Sequence, residues 1–227
     1  ANHAIVENGN NNDAITNPDA YDYIFWWDYE MSECAGNTYS YKETVGATVI
    51  ANDAPTDFAL LKLKETPYDL TPPIQAFYNG WDRQMAYGEG VSIHHPQFHP
   101  KKISTDNTTP TNSGNYWKIN WNETLNGPSI VYGGSSGAPL YNILRNKRLV
   151  GQLISRSGDN CSSQSTYYGK FSISWNNNTS EPRRRLKDWL DPINSDNLGI
   201  DGIFCDGANK KIISNTSFNT DSNVFGC

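Results

Sequence analysis

A chain of 227 residues with 24 acidic and 18 basic side chains carries a net charge of −6, which gives nucleic-acid binding no electrostatic support. Its apolar runs fall short of the ~20 residues of a membrane-spanning helix, so none is expected. Aromatic residues make up 12% of the chain, set with Val and Ile in short runs between Gly, Pro and Asn clusters, which points to an all-β fold with a substantial core.

The chain opens on Ala1-Asn2-His3-Ala4 without an initiator Met, as a mature or truncated piece would. Residues 5–20 are rich in Asn and Asp and predict a surface loop. Residues 21–29, around Phe25, Trp26 and Trp27, predict a buried aromatic strand, and residues 43–51 a second. Asp57 opens an apolar run over 57–63, a third. Thr71-Pro72-Pro73 interrupts the chain, and Gly80-Trp81-Asp82-Arg83 predicts a turn. Residues 91–93 predict a short strand ending in His94-His95-Pro96. Residues 100–115 predict a Thr/Asn/Pro loop, and 116–121 alternate as a half-exposed strand. Beyond the Gly/Ser stretch at 133–137, residues 148–154 and 167–175 predict two more strands, with a polar loop at 157–165 between them. Pro182 suits a first helical turn, and Leu186, Trp189 and Leu190 recur at i, i+3 and i+4, predicting a helix over 182–190. After Gly202 the composition turns polar, so a domain over 1–202 and a tail or further segment over 203–227 are expected. Cys34, Cys161, Cys205 and Cys227 show no C-x-x-C spacing, which disfavours a zinc ribbon or redox pair.

The chemistry concentrates at Gly133-Gly134-Ser135-Ser136-Gly137-Ala138-Pro139. Glycine admits backbone angles that let neighbouring N–H groups converge on one point, as an oxyanion hole requires. A serine there needs a base, and the chain has four candidates: His3, His94, His95 and His99. Asp57 is the clearest acid at a strand entry. The order His3, Asp57, Ser136 is that of a chymotrypsin-type triad. Other sites have plainer readings. His95 and His99 could form a metal pair, but Pro96 and Pro100 spoil a helix between them, and no further ligands are identified, so no metal is assigned. Arg183-Arg184-Arg185 reads as a solvated helix face, and Trp26 and Trp27 as core.

An ordered set of motifs then resembles one family, the lysyl-endopeptidase branch of secreted bacterial trypsin/chymotrypsin-like serine proteases. Ala1-Asn2-His3 resembles the end of its catalytic-histidine motif, Thr56-Asp57-Phe58-Ala59-Leu60-Leu61 its aspartate motif, and Gly134-Ser135-Ser136-Gly137-Ala138-Pro139 its nucleophile motif. Gly80-Trp81-Asp82-Arg83, Ile93-His94-His95-Pro96, Lys101-Lys102-Ile103-Ser104, Arg148-Leu149-Val150-Gly151-Gln152-Leu153, Tyr168-Gly169-Lys170-Phe171 and Asp188-Trp189-Leu190-Asp191-Pro192 extend the likeness over residues 1–202.

The resemblance implies a chymotrypsin-like double β-barrel with a C-terminal helix, its first barrel incomplete at the N-terminus. It implies a secreted serine endopeptidase without a cofactor, acting on protein or peptide substrates. His3 is implied as general base, Asp57 as its orienter, Ser136 as nucleophile, and the N–H groups of Gly134 and Ser136 as the oxyanion hole. Imidazole is a base suited to neutral pH.

The departures from the family are informative. Ala4 stands where the family has a cysteine, the usual mate of the one matched by Cys34, and Cys161 matches one that pairs with an N-terminal segment. Thr166 stands where the lysyl branch places an aspartate in the S1 pocket. Ile154 replaces a histidine beside that pocket, and Ser155 and Arg156 replace small glycines. Cleavage selective for lysine is therefore expected to be lost. A neutral residue at P1 is expected, or an acidic one if Arg156 turns into the pocket. Two other readings compete. One is a non-catalytic binding module on the same scaffold. The other is a β-sandwich adhesion or carbohydrate-binding domain, which would hold His3, Asp57 and Ser136 far apart.

Overall fold

The computed structural model describes residues 1–5, 19–33, 36–84, 88–125, 127, 129–158, 165–176 and 180–204. The described strands are, in chain order, β1 (Asp19–Met31), β2 (Tyr39–Asp53), β3 (Phe58–Leu63), β4 (Phe77–Tyr78), β5 (Trp81–Asp82), β6 (Gly90–His94), β7 (Lys102–Asp106), β8 (Thr111–Ser113), β9 (Tyr116–Asn120), β10 (Pro139–Asn142), β11 (Arg148–Ser157), β12 (Ser165–Lys170), β13 (Gly199–Ile200) and β14 (Ile203–Phe204). Two short α-helices accompany them, α1 (Phe171–Asn176) and α2 (Lys187–Leu190). The fold is all-β, the class expected for a chymotrypsin-like chain.

The first lobe is an antiparallel sheet in the order β1-β2-β3. The second is a nine-stranded sheet running β7-β6-β10-β11-β12-β9-β8, with β5 laid parallel to β11 and β13 paired with β5. Alternation along β9 sends Trp117 and Ile119 inward, where they meet Trp121, Val131, Leu140, Val150, Leu153 and Tyr168. A separate apolar cluster forms the seam between the lobes. Ala51 and Phe58 of the first sheet join Trp81, Phe171, Trp175 and Leu186 there. The Trp81 and Trp175 rings lie 4.5 Å apart between centroids, and Trp81 stacks on Phe171 at 5.4 Å. Burial of Ala51 and Phe58 against these rings, at about 25 cal/mol per Å² of apolar surface, helps hold the lobes together.

Several expectations are corrected. The strand predicted over 167–175 stops at Lys170 and turns into α1. Phe171, Ser174 and Trp175 are buried together, and their i, i+3, i+4 spacing fits a helix as well as the alternation of Phe171, Ile173 and Trp175 fits a strand. The helix expected over 182–190 is two pieces, a 3₁₀ turn Pro182–Arg184 and α2, separated where Arg185 is extended. The 100–115 stretch supplies two strands, β7 and β8, whose pairing with β6 and β9 overrides their polar composition. Gly80-Trp81-Asp82-Arg83 is no turn at its centre, since Trp81 and Asp82 form β5.

The aromatic strand forms, but Trp26 is not core. It is 49% exposed and stacks on Tyr41 at 4.5 Å, while half-buried Trp27 donates to Thr44 Oγ1 at 2.9 Å. All four cysteines, and most of the loops expected over 5–20 and 157–165, lie outside the described residues. Within the expected tail, Ile203 and Phe204 pair with β4.

Candidate active site

Asp57 sits at the hinge between a turn and a strand. Its N–H donates to the Ala54 carbonyl at 3.0 Å, its φ is +59°, and Phe58 begins β3. Asp57 is buried, and the turn is clamped from the second lobe. Gln152 Nε2 of β11 donates to the Thr56 carbonyl at 2.8 Å, and Thr56 Oγ1 is hydrogen-bonded to Ser174 Oγ of α1 at 2.8 Å.

The first residues of the chain lie directly on this turn. The Asn2 N–H donates to the Asp57 carbonyl at 2.8 Å, and the Asn2 side chain, fully buried, accepts from Asn52 Nδ2 at 2.6 Å. His3 is thereby presented to the carboxylate twice. Its backbone N–H donates to Oδ1 at 2.7 Å and its ring Nδ1 lies 2.5 Å from Oδ2. A carboxylate only accepts, so Nδ1 carries the proton and Nε2 keeps its lone pair. Nε2 lies 2.8 Å from Ser136 Oγ, whose hydroxyl proton therefore points at the ring. The three residues come from three separate parts of the chain and converge within hydrogen-bond reach, which the β-sandwich reading forbids.

Ser136 lies on the second of two successive turns that share Ser135. The Ser135 N–H donates to the Tyr132 carbonyl at 3.2 Å and the Ala138 N–H to the Ser135 carbonyl at 3.0 Å. Gly134 and Gly137 occupy the third position of each turn with φ of +89° and +86°, angles at which a side chain would be strained. The loop is tied down at both ends, by Gln97 N–H to the Gly133 carbonyl at 2.7 Å and by Gly137 N–H to the Leu153 carbonyl at 2.9 Å. Ser136 is exposed whereas Ser135 is buried.

A sequence profile of the lysyl endopeptidase C-terminal domain matches residues 1–172. This chain belongs to that family. A lysyl endopeptidase of Pseudomonas aeruginosa is 34% identical over 130 residues, which are 52% of this chain and 26% of the relative. The chain thus spans about a quarter of that relative's length. Among solved structures, the M. tuberculosis protein Rv3671c, in the inactive form of a serine-to-alanine mutant, superposes with a TM-score of 0.35 and 14% identity, covering 60% of this chain and 66% of that one.

Against the family pattern, the residues expected to line the S1 pocket distribute unevenly. Thr166 is fully buried, and its hydroxyl accepts from Trp121 Nε1 at 2.7 Å. It lies directly across from Arg156 in the β11–β12 ladder. Arg156 is half-buried, its guanidinium 4.8 Å from the centre of the Tyr132 ring, and it donates to the Gly158 carbonyl at 2.6 Å. That arrangement brings a cation beside the residue that leads into the Gly/Ser loop. Ile154 is the extra residue of a bulge, since the register steps from Leu153–Tyr168 to Ser155–Tyr167. Ser155 is exposed.

The histidines other than His3 take other roles. His95 stacks on Tyr29 at 5.6 Å, and its Nδ1 donates to the His99 backbone carbonyl at 3.1 Å. His94 is buried between two serines, with Nδ1 3.0 Å from Ser135 Oγ and Nε2 3.0 Å from Ser104 Oγ. Sequence reasoning passed over this contact. Its only local trace is a histidine at the inward end of a short strand, and the partners lie ten and forty-one residues away.

Proposed function

We propose that this chain is the catalytic domain of a secreted serine endopeptidase. The observation that carries this reading is the hydrogen-bonded line Asp57–His3–Ser136 with an exposed Ser136. Ser136 Oγ attacks the carbonyl carbon of the scissile peptide as His3 Nε2 takes its proton. Asp57 holds the imidazole in the required tautomer and stabilises the imidazolium that results. The carbonyl oxygen, now negative, is received by the N–H groups of Gly134 and Ser136, one such donor being worth about 3 kcal/mol in the transition state. His3 then returns the proton to the leaving amine nitrogen, the C–N bond breaks, and an ester of Ser136 remains. Water, deprotonated by His3, hydrolyses that ester. No step draws on a cofactor or metal.

The substrate is a protein or peptide whose P1 residue is not lysine. Thr166 brings no carboxylate to pair with a substrate ammonium, and the nearby Arg156 charge disfavours one. A neutral P1 side chain fits this best. An acidic one follows if Arg156 leaves Tyr132 for the substrate.

A fluorophosphonate probe tests the reaction class. Covalent labelling mapped to Ser136, and lost in Ser136→Ala, is the expected result. A folded chain that stays unlabelled at millimolar probe refutes the reading in favour of a non-catalytic binding module.

A further inference from the structure

We infer that His94 is the positioning residue of the oxyanion loop, acting through Ser135 rather than on the substrate. The inference rests on the proposed peptidase reaction for its kinetic meaning, but its structural content stands on hydrogen bonds alone.

The proton bookkeeping along the contact is determinate. Ser104 Oγ donates its one proton to the Ile130 carbonyl at 2.9 Å, so toward His94 it can only accept. His94 Nε2, 3.0 Å away, therefore carries the ring proton. Nδ1 is then a bare lone pair, and the Ser135 hydroxyl, at 3.0 Å, donates to it. The chain Ser135 O–H to His94 to Ser104 to Ile130 carbonyl runs in one direction with every member satisfied. It is complete only for a neutral imidazole. Burial favours that form, pushing the His94 pKa down to about 4, and neighbouring His95 adds to the effect.

What this chain holds is the peptide geometry on either side of Ser135. The Ser136 N–H belongs to the peptide bond joining Ser135 to Ser136, and the Gly134 N–H lies in the turn that ends at Ser135. Gly134 and Gly137, both at positive φ, leave the backbone on each side soft. The Ser135 side chain is the fixed point between them, buried and tied to β6 and β7. Turning that side chain loose lets both N–H groups swing off the oxyanion, where a displacement of a fraction of an ångström matters. Ser136 itself keeps its bond to His3 throughout.

The test uses His94→Leu, His94→Gln and Ser135→Ala, with the double variant His94→Leu/Ser135→Ala, in the full chain. Glutamine can offer an acceptor to Ser135 and a donor to Ser104; leucine offers neither. In His94→Leu and in Ser135→Ala, kcat on an ester substrate and the fluorophosphonate labelling rate should fall by about 10- to 100-fold, with KM within two-fold. His94→Gln should recover most of the loss. The double variant should be no slower than the worse single, because both remove one contact. Multiplicative losses, a loss expressed in KM, or a His94→Leu protein labelled at the wild-type rate overturn the inference. If His94→Leu does not fold, Ser135→Ala alone carries the kinetic comparison.

Amide hydrogen exchange across residues 133–138 is the readout that does not depend on activity. Faster exchange in Ser135→Ala and His94→Leu, restored in His94→Gln, supports the positioning role even in a chain that the probe never labels, which would refute only the peptidase reading. Unchanged exchange overturns the role of His94 itself.

Discussion

Acid should destabilise this fold through His94, and by an amount the structure sets. The imidazole is only 2% exposed, and its pKa falls from the ordinary 6.5 to about 4 because burial penalises the charged ring. Its neighbours do not help the charged form: His95, next in the chain, lowers the His94 pKa further, and Lys102 pairs with it across the β6–β7 ladder. Below pH 6.5 the unfolded chain binds a proton at this position that the folded chain refuses until pH falls to about 4. Stability therefore rises with pH across that window. The contribution is fully present above 6.5 and is lost as pH drops through about 4. At roughly 1.4 kcal/mol per pKa unit, the drop from 6.5 is worth about 3 kcal/mol.

Urea unfolding at pH 7.5 and pH 4, for the wild type and for His94→Gln, isolates the effect. Carboxylates titrate in both proteins and cancel in the comparison. The wild type should lose about 3 kcal/mol more than the variant between the two pH values. Equal losses would refute the reasoning, because a histidine that is charged in the folded state, or exposed, has no such penalty to release.

Three further outcomes follow from the geometry. Asp57→Asn keeps an acceptor for the His3 N–H but no longer dictates the ring tautomer, so kcat should fall by about 10⁴ with the fold intact by circular dichroism; a loss below ten-fold contradicts the assigned role. In Gly169→Ala the new methyl would fall on the Thr56 carbonyl oxygen and within 2.6 Å of Gln152 Nε2, which are backbone and clamp rather than free side-chain ends. Overpacking of that kind costs about 3 kcal/mol, a Tm drop of roughly 6–12 °C in calorimetry, with slower probe labelling because Thr56 precedes Asp57; an unchanged Tm contradicts it. A peptide library varied at P1 should show lysine and arginine among the poorest residues, and a clear lysine preference would mean that Arg156 does not guard the pocket.

The strands that could be read from the sequence are those whose side chains report their own environment. Residues 43–51, 57–63, 116–121 and 148–154 are apolar or alternate, and observed strands cover all of them except Asp57 and Trp121 at the ends. The hydrogen-bonded convergence of His3, Asp57 and Ser136 was expected for a different reason, because the residues around them resemble ordered family motifs. What escaped depends on partners distant in the chain. Ser104 and Asp106 look like loop residues until β6 pairs with β7 and buries them. Trp26 looks like core because its neighbours are aromatic, yet the sheet turns it outward against Tyr41. Phe171 to Trp175 satisfies two periods at once, and the backbone chose the helical one, with Ser174 bonding back to the Lys170 carbonyl at 3.1 Å. His94 could not be weighed without knowing that the Gly/Ser loop folds over the end of β6.

The aromatic seam has a consequence for observation as much as for stability. Trp81 enters on a two-residue strand of the second sheet and Trp175 on α1, yet their indoles sit close enough for their electronic transitions to mix. Their Phe58 and Ala51 neighbours belong to the other lobe. A coupled pair of this kind absorbs circularly polarised light as one chromophore, so the near- and far-ultraviolet spectrum of the chain carries a built-in optical gauge of whether β5 and α1 stay packed together behind the seam, with no label added.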